Sequence, residues 1–344
     1  MAVYTVLDTN DIASILRKYD LGILHRFEAI SSGIENTNYF LWLKSSDQVI
    51  TQWVLTIFEN LSENSLPFFN NLTAHLSQKG FAVPAPQRMN DGQFVFSTFQ
   101  PSRQSAGKFG VLVPKFSGAS IELPDEVACQ EIATFTAKMH NALSDFSDAS
   151  DSLHSFKWCV QLVSELSTSI PKEDLQLLNL ALKRYRVYQT LIDKCPAGII
   201  HGDLFRDNVL FEKGEISAVI DFYNAGKAAL LFDLAVIAND WAVNFECLPA
   251  LFSSKEGSTK GVDLQNVYDK QKLDVLLAAY QSVRPFTEIE KQVWPHLMEL
   301  AAFRFYLSRL KTKYTEGYQQ QAKAGEVIKS PDAMKIIMQA SMMR

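Results

Sequence analysis

Three polar residues of the types that bind metal ions and move protons lie between Gly198 and Asp221, in GIIHGDLFRDNVLFEKGEISAVID. Asp203 is in a predicted loop just after a short apolar strand, Asn208 follows in the same loop, and Asp221 ends the later strand ISAVI. A β-hairpin brings Asn208 and Asp221 side by side. Carboxylate and amide oxygens suit Mg²⁺, which takes its remaining ligands from water and substrate phosphates. Asp203 is then left to accept a proton from an attacking hydroxyl group.

His201 stands two positions before Asp203. We interpret it as a residue that orients this loop by hydrogen bonds, and not as one that transfers protons. The alternative for the whole segment is that its acids only end strands and cap turns. That alternative does not explain why Asp, Asn and Asp occur in this order on one strand–loop–strand unit.

Short β-branched and aromatic runs, separated by polar turns, predict a small sheet in the first third of the chain. One helix interrupts them in NSLPFFNNLTAHLSQKG, where apolar residues recur near helical spacing and Gly80 ends the segment. The predicted strands lie in RFEAI, TNYFLWL, QVITQWVLTIF, FVFSTF and GKFGVLVPKF.

Long amphipathic segments replace this pattern after Pro124 and predict a mainly helical second part. Helices are expected in PDEVACQEIATFTAKMHNAL, EDLQLLNLALKRYRVYQTLIDK, QKLDVLLAAYQSV and TEIEKQVWPHLMELAAFRFYLSRLKTKY. We therefore predict an α+β fold of two lobes. A small antiparallel-sheet lobe over residues 1–113 would cover a nucleotide, and a mainly helical lobe over residues 114–344 would carry catalysis and substrate binding.

The composition is that of an ordinary globular protein, with 344 residues of which 47% are hydrophobic and 21% charged. A formal net charge of -5 provides no basic excess, so a nucleic acid is not an expected partner. The four cysteines are widely spaced, which favours reduced, buried thiols over a metal site. The segment MAVYTVLDTN lacks the basic start and apolar core that are expected of a secretory signal. The most apolar stretch, AALLFDLAVIANDWAV, contains two aspartates and is expected to be too short to span a bilayer. We expect a cytoplasmic protein that is not bound to a membrane.

A family resemblance covers most of the chain. The order His201-x-Asp203-x4-Asn208, followed by Ile220-Asp221, is similar to the catalytic loop and metal-binding aspartate of the protein-kinase-like fold, in its branch of aminoglycoside phosphotransferases and choline kinases. Within that branch, HGDLFRDNVLF, IDFYNA, FDLA and NDW, together with SGIENTNYFL and RFYLSRL, resemble the homoserine kinase family. The resemblance implies a bilobal protein-kinase-like fold and transfer of the ATP γ-phosphate to the hydroxyl of L-homoserine, a step toward threonine. It also implies Asp203 as catalytic base, with Asn208 and Asp221 as Mg²⁺ ligands.

The resemblance places the loop that covers the ATP phosphates between two predicted strands, at residues 31–38. A glycine there permits the close backbone approach that phosphate oxygens need, and neighbouring side chains add donors. A plain hairpin turn is the alternative. The adenine is expected to meet the backbone of residues 112–116. The candidate nucleotide-binding residues are Ser32, Gly33, Asn36, Thr37, Asn38 and Val113.

The next strand departs from the wider fold. Thr56 stands where kinases carry a lysine that holds the α- and β-phosphates. Either another cation supplies this charge, for which Lys108 is a candidate, or Mg²⁺ and backbone donors suffice.

An amino-acid acceptor needs an acid near its ammonium group. Asp233, Asp240 and Trp241 share one face of the helix predicted after Asp221, and Asp240 is our choice for the ammonium contact. The alternative for Asp233 is that it stabilises a helix start or a loop. Tyr223, just after Asp221, is a further candidate for the acceptor pocket.

The carboxylate of such an acceptor needs an arginine. Arg304 and Arg309 interrupt the otherwise apolar segment AAFRFYLSRL, and Arg206 lies in the catalytic loop. A charge in such a setting is normally paired, so a structural ion pair is the alternative for each of the three.

Two other functions compete with this hypothesis. One is a kinase for another small alcohol, such as choline, ethanolamine, an aminoglycoside or a sugar derivative, and Trp241 with Tyr223 would suit a quaternary ammonium group. The other is a nucleotide-binding module without catalysis, which the missing lysine suggests. The presence of Asp203, Asn208 and Asp221 together argues against the module.

Overall fold

The computed structural model describes residues 4–30, 36–98, 107–148, 150, 155–245, 262–314 and 330–344. The predicted phosphate-loop residues Ser32 and Gly33 lie outside these residues. The chain divides into two compact units, of which the first ends at Ser117 and the second begins at Gly118.

The first unit contains a five-stranded antiparallel sheet in the order β1-β2-β3-β5-β4. Alternate residues of β2, namely Tyr39, Leu41 and Leu43, are buried in one cluster with helix α1, and Leu55 and Ile57 of β3 belong to the same cluster. The elements are α1 (Thr9–Leu16), β1 (Ile23–Ile30), β2 (Asn36–Lys44), β3 (Ile50–Phe58), α2 (Leu66–Gln78), β4 (Phe96–Ser97) and β5 (Phe109–Pro114).

The second unit is mainly helical. Its helices are α3 (Glu126–Ala142), α4 (Phe156–Leu166), α5 (Lys172–Ile192), α6 (Leu231–Trp241), α7 (Lys270–Val283), α8 (Glu288–Tyr314) and α9 (Pro331–Met342). Its strands are β6 (Ala197–Ile200), β7 (Val209–Glu212), β8 (Glu215–Val219) and β9 (Gly226–Ala229), with β6 paired to β9 and β7 to β8. All residues of α6 are buried, and this helix packs against α8. None of the described helices is both long and apolar enough to cross a membrane.

The predicted α+β architecture is confirmed, and the predicted strands and long helices are present. Three short helices, α1, α4 and α9, were not predicted. Each of them begins at a residue whose side chain caps the helix: Asp8, Ser155 and Ser330, respectively. Helix-start signals were therefore present, but the apolar periodicity in such short segments was too brief to be recognised.

Candidate active site

Strands β7 and β8 form the predicted hairpin, and its open end carries Asn208 and Asp221. Val209 pairs with Val219, and the amide of Ile220 donates to the carbonyl of Asn208 at 2.9 Å. Asp221 has φ 65° and ψ 61°, a left-handed conformation that is uncommon outside glycine and turns the chain out of the strand. The structure thus brings Asn208 and Asp221 together.

Asp203 lies beside this pair, half-buried in the loop between β6 and β7. Its Oδ2 accepts hydrogen bonds from the side-chain amides of Asn208 at 3.2 Å and Asn224 at 3.4 Å. The side-chain NH₂ group of Asn208 also donates to the backbone carbonyl of Asp203 at 2.8 Å. Its side-chain oxygen therefore points away from the Asp203 carboxylate. Asn224 was not among the predicted residues, although its position three residues after Asp221 repeats the order of acid and amide.

Asp233 anchors the loop that carries Asp203. Its carboxylate is fully buried on α6 and accepts backbone N–H groups of His201 at 2.8 Å and Gly202 at 2.7 Å, while His140 Nε2 lies 3.1 Å away. Burial alone raises the pKa of Asp233, but hydrogen bonds from His140 and Gly202 outweigh it and hold the pKa below its usual value. The loop-stabilising alternative describes the contacts of Asp233, which leave it no place in the acceptor site.

Gly202 allows the loop to approach the next segment closely. It has φ 79°, and a Cβ atom built there would lie 2.6 Å from the carbonyl oxygen of Asn224. Any other residue would therefore be strained and would collide with backbone. This close approach is what places Asn224 beside Asp203.

His201 makes the kind of contacts expected of a loop-orienting residue. It is fully buried, its Nε2 lies 2.9 Å from the carbonyl of Ile220, and the amide of Asp203 donates to its Nδ1 at 3.2 Å. Burial lowers the pKa of His201, which keeps the ring neutral with its proton on Nε2.

A buried chain of hydrogen bonds continues from Asp233 through His140. The hydroxyl of Tyr280 lies 2.8 Å from His140 Nδ1 and accepts from Arg284 Nη1 at 3.3 Å. Arginine only donates, so Tyr280 donates onward to His140, and His140 donates to Asp233. Neither His140 nor Tyr280 was predicted, because a single polar residue on an apolar helix face carries no sequence signal of its own.

The protein is expected to lose stability as the pH falls below about 6.5. The folded-state pKa of His201 is lowered, so the unfolded chain binds a proton that the folded chain excludes. This stability is complete above the unfolded pKa and decreases as the pH falls toward the folded pKa. Thermal unfolding of the wild type and of His201→Gln between about pH 5 and pH 8 measures the effect. The stability of the variant should fall less as the pH is lowered. Part of the pH dependence should remain, because burial also lowers the pKa of His296. Equal pH dependence in the two proteins would contradict the prediction.

Arg206 and Asp240, two of the predicted acceptor residues, pair with each other. Arg206 donates to Asp240 Oδ2 from its backbone at 2.8 Å and from Nε at 3.0 Å. Trp241 is fully buried, and its indole N–H donates to the carbonyl of Leu204 at 3.1 Å. The polar atoms of these three residues thus fasten the catalytic loop to α6, and the acceptor roles predicted for them stay predictions.

The remaining acceptor candidates surround the same loop. Tyr223 is half-buried, and burial together with the charge of Asp221 raises its pKa. Arg309 donates to the carbonyl of Ser330 at 3.0 Å, whereas Arg304 is buried on α8. Burial lowers the pKa of both arginines to about 10.

In the first unit, the Thr37 side chain binds the backbone of the N-terminal segment. It is fully buried; its hydroxyl accepts the amides of Tyr4 at 3.0 Å and Thr5 at 3.1 Å and donates to Glu59 at 2.6 Å. Lys108 forms an ion pair with the same glutamate. Burial alone raises the pKa of Glu59, but its hydrogen bonds, that from Lys108 foremost, lower it below the usual value. The ammonium of Lys108 thus already has a counter-charge, and the predicted phosphate contact of Thr37 stays a prediction.

Asn38 and Thr56 face each other on the side of this sheet opposite to Thr37. They are register partners on β2 and β3, and the Thr56 hydroxyl donates to the Asn38 side chain at 2.7 Å. Asn36 begins β2 and is buried, and Val113 pairs with Val54 inside the sheet. Thr56, which we align with the lysine of the wider fold, is thus paired with Asn38.

Comparison with known proteins shows the family of this chain. Residues 26–253 match the family model of the phosphotransferase enzyme family. A homoserine kinase of Methylobacillus flagellatus is 33% identical over 314 residues, covering 91% of this chain and 88% of that protein. A homoserine kinase of Burkholderia pseudomallei is 36% identical over 320 residues, covering 90% and 88%, respectively.

Solved structures show the same fold at lower identity. An amicoumacin kinase, solved with AMP-PNP and Ca²⁺, superimposes with a TM-score of 0.66 at 15% identity, covering 96% of this chain and 95% of that one. A microcompartment-associated aminopropanol kinase has a TM-score of 0.59 at 15% identity, with coverage of 98% and 99%. The chain belongs to the phosphotransferase enzyme family and, within it, to the homoserine kinases.

Proposed function

We propose that this protein transfers the γ-phosphate of ATP to the side-chain hydroxyl of L-homoserine, giving O-phospho-L-homoserine and ADP. The observation that carries the proposal is the Asp203 carboxylate, fixed by two amide side chains beside the open end of the β7–β8 hairpin. A loop held this way suits phosphate transfer, in which the protein contributes mostly positioning and electrostatic stabilisation.

Asp203 acts in this proposal as the base for the acceptor hydroxyl. Asn208 and Asn224 hold Oδ2 and so fix the direction of the carboxylate. Asp233 holds the backbone on the N-terminal side of Asp203 through His201 and Gly202. The base thus stays in one orientation while the hydroxyl attacks the phosphorus and gives up its proton.

Asn208 and Asp221 would hold the metal ion. The amide oxygen of Asn208 accepts no hydrogen bond from the described residues, and together with a carboxylate it gives the hard oxygen donors that Mg²⁺ prefers. Mg²⁺ bound there supplies positive charge to the phosphate oxygens of ATP. Asn208 would then serve both groups, with its nitrogen on the base and its oxygen on the metal.

The nucleotide contacts are proposed from the first unit. Asn36 and Asn38 begin β2, directly after the predicted loop with Ser32 and Gly33, and Val113 lies on β5 with its backbone as the proposed adenine contact. We also propose a cytoplasmic location, since ATP is the co-substrate.

An acceptor panel tests the proposed function. We expect Mg²⁺-dependent ADP release to be stimulated far more by L-homoserine than by choline, serine, threonine or kanamycin, with no stimulation when the metal is chelated. Preferred turnover of choline or kanamycin would favour a different small-molecule kinase. ATP binding without stimulation by any acceptor would favour a module without catalysis.

A further inference from the structure

Arg304 is a buried cation that has no anionic hydrogen-bonding partner among the described residues. It lies on α8, is only 4% exposed, and forms no hydrogen bond or ion pair with any residue in the described part of the chain. Its guanidinium lies over the ring of Phe305 at 4.7 Å and that of Phe232 at 5.3 Å. Aromatic faces attract a cation but do not satisfy its N–H donors, and a buried charge is costly unless it is paired.

The other arginines near the catalytic loop and α8 are engaged. Arg206 is paired with Asp240, Arg184 donates to both oxygens of Glu299 at 2.8 and 2.9 Å, and Arg309 donates to a backbone carbonyl. Arg304 therefore differs from them, because its five N–H donors, held in a fixed fork, have no acceptor in the part of the chain that the structure describes.

The position of Arg304 connects it with the catalytic loop. Phe305, on which the guanidinium rests, packs edge-on against Phe205 of that loop with ring centroids 4.5 Å apart. Burial lowers the pKa of Arg304, and the negative charge of Asp203 opposes this shift more than any other group. The guanidinium is thus within electrostatic reach of the base.

We propose that Arg304 binds the carboxylate of the acceptor through a forked pair of hydrogen bonds, so that the site selects amino acids over amino alcohols that lack a carboxylate. The proposal rests on the proposed function. In homoserine a short carbon chain separates the hydroxyl from the carboxylate. A hydroxyl at Asp203 therefore leaves the carboxylate close enough to neutralise a neighbouring cation. A planar guanidinium matches a carboxylate in geometry, which an ammonium group does not.

The test compares L-homoserine with 3-aminopropan-1-ol, the same molecule without its carboxylate. Arg304→Met should lower kcat/KM for homoserine by about 10- to 100-fold, which is the effect expected from losing charge-assisted hydrogen bonds to the carboxylate. The same substitution should leave kcat/KM for the amino alcohol nearly unchanged. Most of this loss in kcat/KM should appear as an increase in KM. Arg304→Lys retains the charge and should restore only part of the homoserine activity.

Arg184→Met is the matched control, because it removes a paired arginine from the same helical unit. It should lower the thermal unfolding midpoint without changing the ratio of kcat/KM between the two acceptors. If Arg304 only stabilises Asp203 or the fold, Arg304→Met and Arg304→Lys will weaken both acceptors equally, and the proposal is overturned. A wild type that turns over homoserine but shows no preference for it overturns this inference and leaves the proposed function intact. A wild type that turns over neither acceptor refutes both.

Discussion

Asp203→Asn is expected to lower kcat for phosphate transfer to homoserine by about 10²- to 10⁴-fold while ATP still binds. The amide has almost the shape of the carboxylate, but it cannot accept the hydroxyl proton. It can retain one oxygen toward the amides of Asn208 and Asn224, so the loop has no reason to move. The loss should therefore lie in the chemical step.

ADP release with homoserine and calorimetric titration with ATP measure the two parts of this prediction separately. Asp207→Asn is the control, because it makes the same change at an exposed position of the same loop. It should stay near wild-type turnover. Turnover of Asp203→Asn within about tenfold of the wild type would exclude Asp203 as the base.

Asp233→Asn is expected to lower both stability and turnover. Asp233 is fully buried and accepts two backbone N–H groups and His140. An asparagine there presents an NH₂ group toward donors and leaves at least one of them unsatisfied, at a cost of about 3 kcal/mol or more in the free energy of unfolding. Because the same bonds position Asp203, even a displacement of the loop by about 1 Å would lower kcat by about 100-fold.

Thermal unfolding and kcat, the latter measured well below the unfolding midpoint, separate the two effects. The control is Asp174→Asn, which removes a paired aspartate from Lys335 at the start of α5, away from the loop. It should lower the unfolding midpoint with little change in kcat. If Asp233→Asn behaved in the same way, Asp233 would be a residue of the fold alone.

The spatial arrangement of the central site residues could be predicted because these residues are close in the chain. Asp203, Asn208 and Asp221 lie on one strand–loop–hairpin segment, and hairpin pairing alone brings the last two together. The β-branched and aromatic runs of β2 and β3 likewise predicted strands of a small sheet, which the structure contains.

The polar partners of the loop could not be predicted, because they come from distant parts of the chain. His140 and Asp233 are 93 residues apart, and His140 and Tyr280 are 140 apart. Asp240 was predicted to contact a substrate ammonium group. In the structure it is paired with Arg206, which is 34 residues away in the chain. No periodicity or spacing along the chain encodes such pairings.

The order and type of residues along the chain were enough to determine the α+β architecture and the family, and they predict the three central site residues. These depend on local propensity and on short-range geometry. Tertiary packing alone decided which charges are paired and which remain available. It joins Arg206 to Asp240 and Lys108 to Glu59, and leaves Arg304 buried between aromatic rings. The physical reason is that the energy of a charge depends on its burial and on its neighbours in space, whatever their separation in sequence.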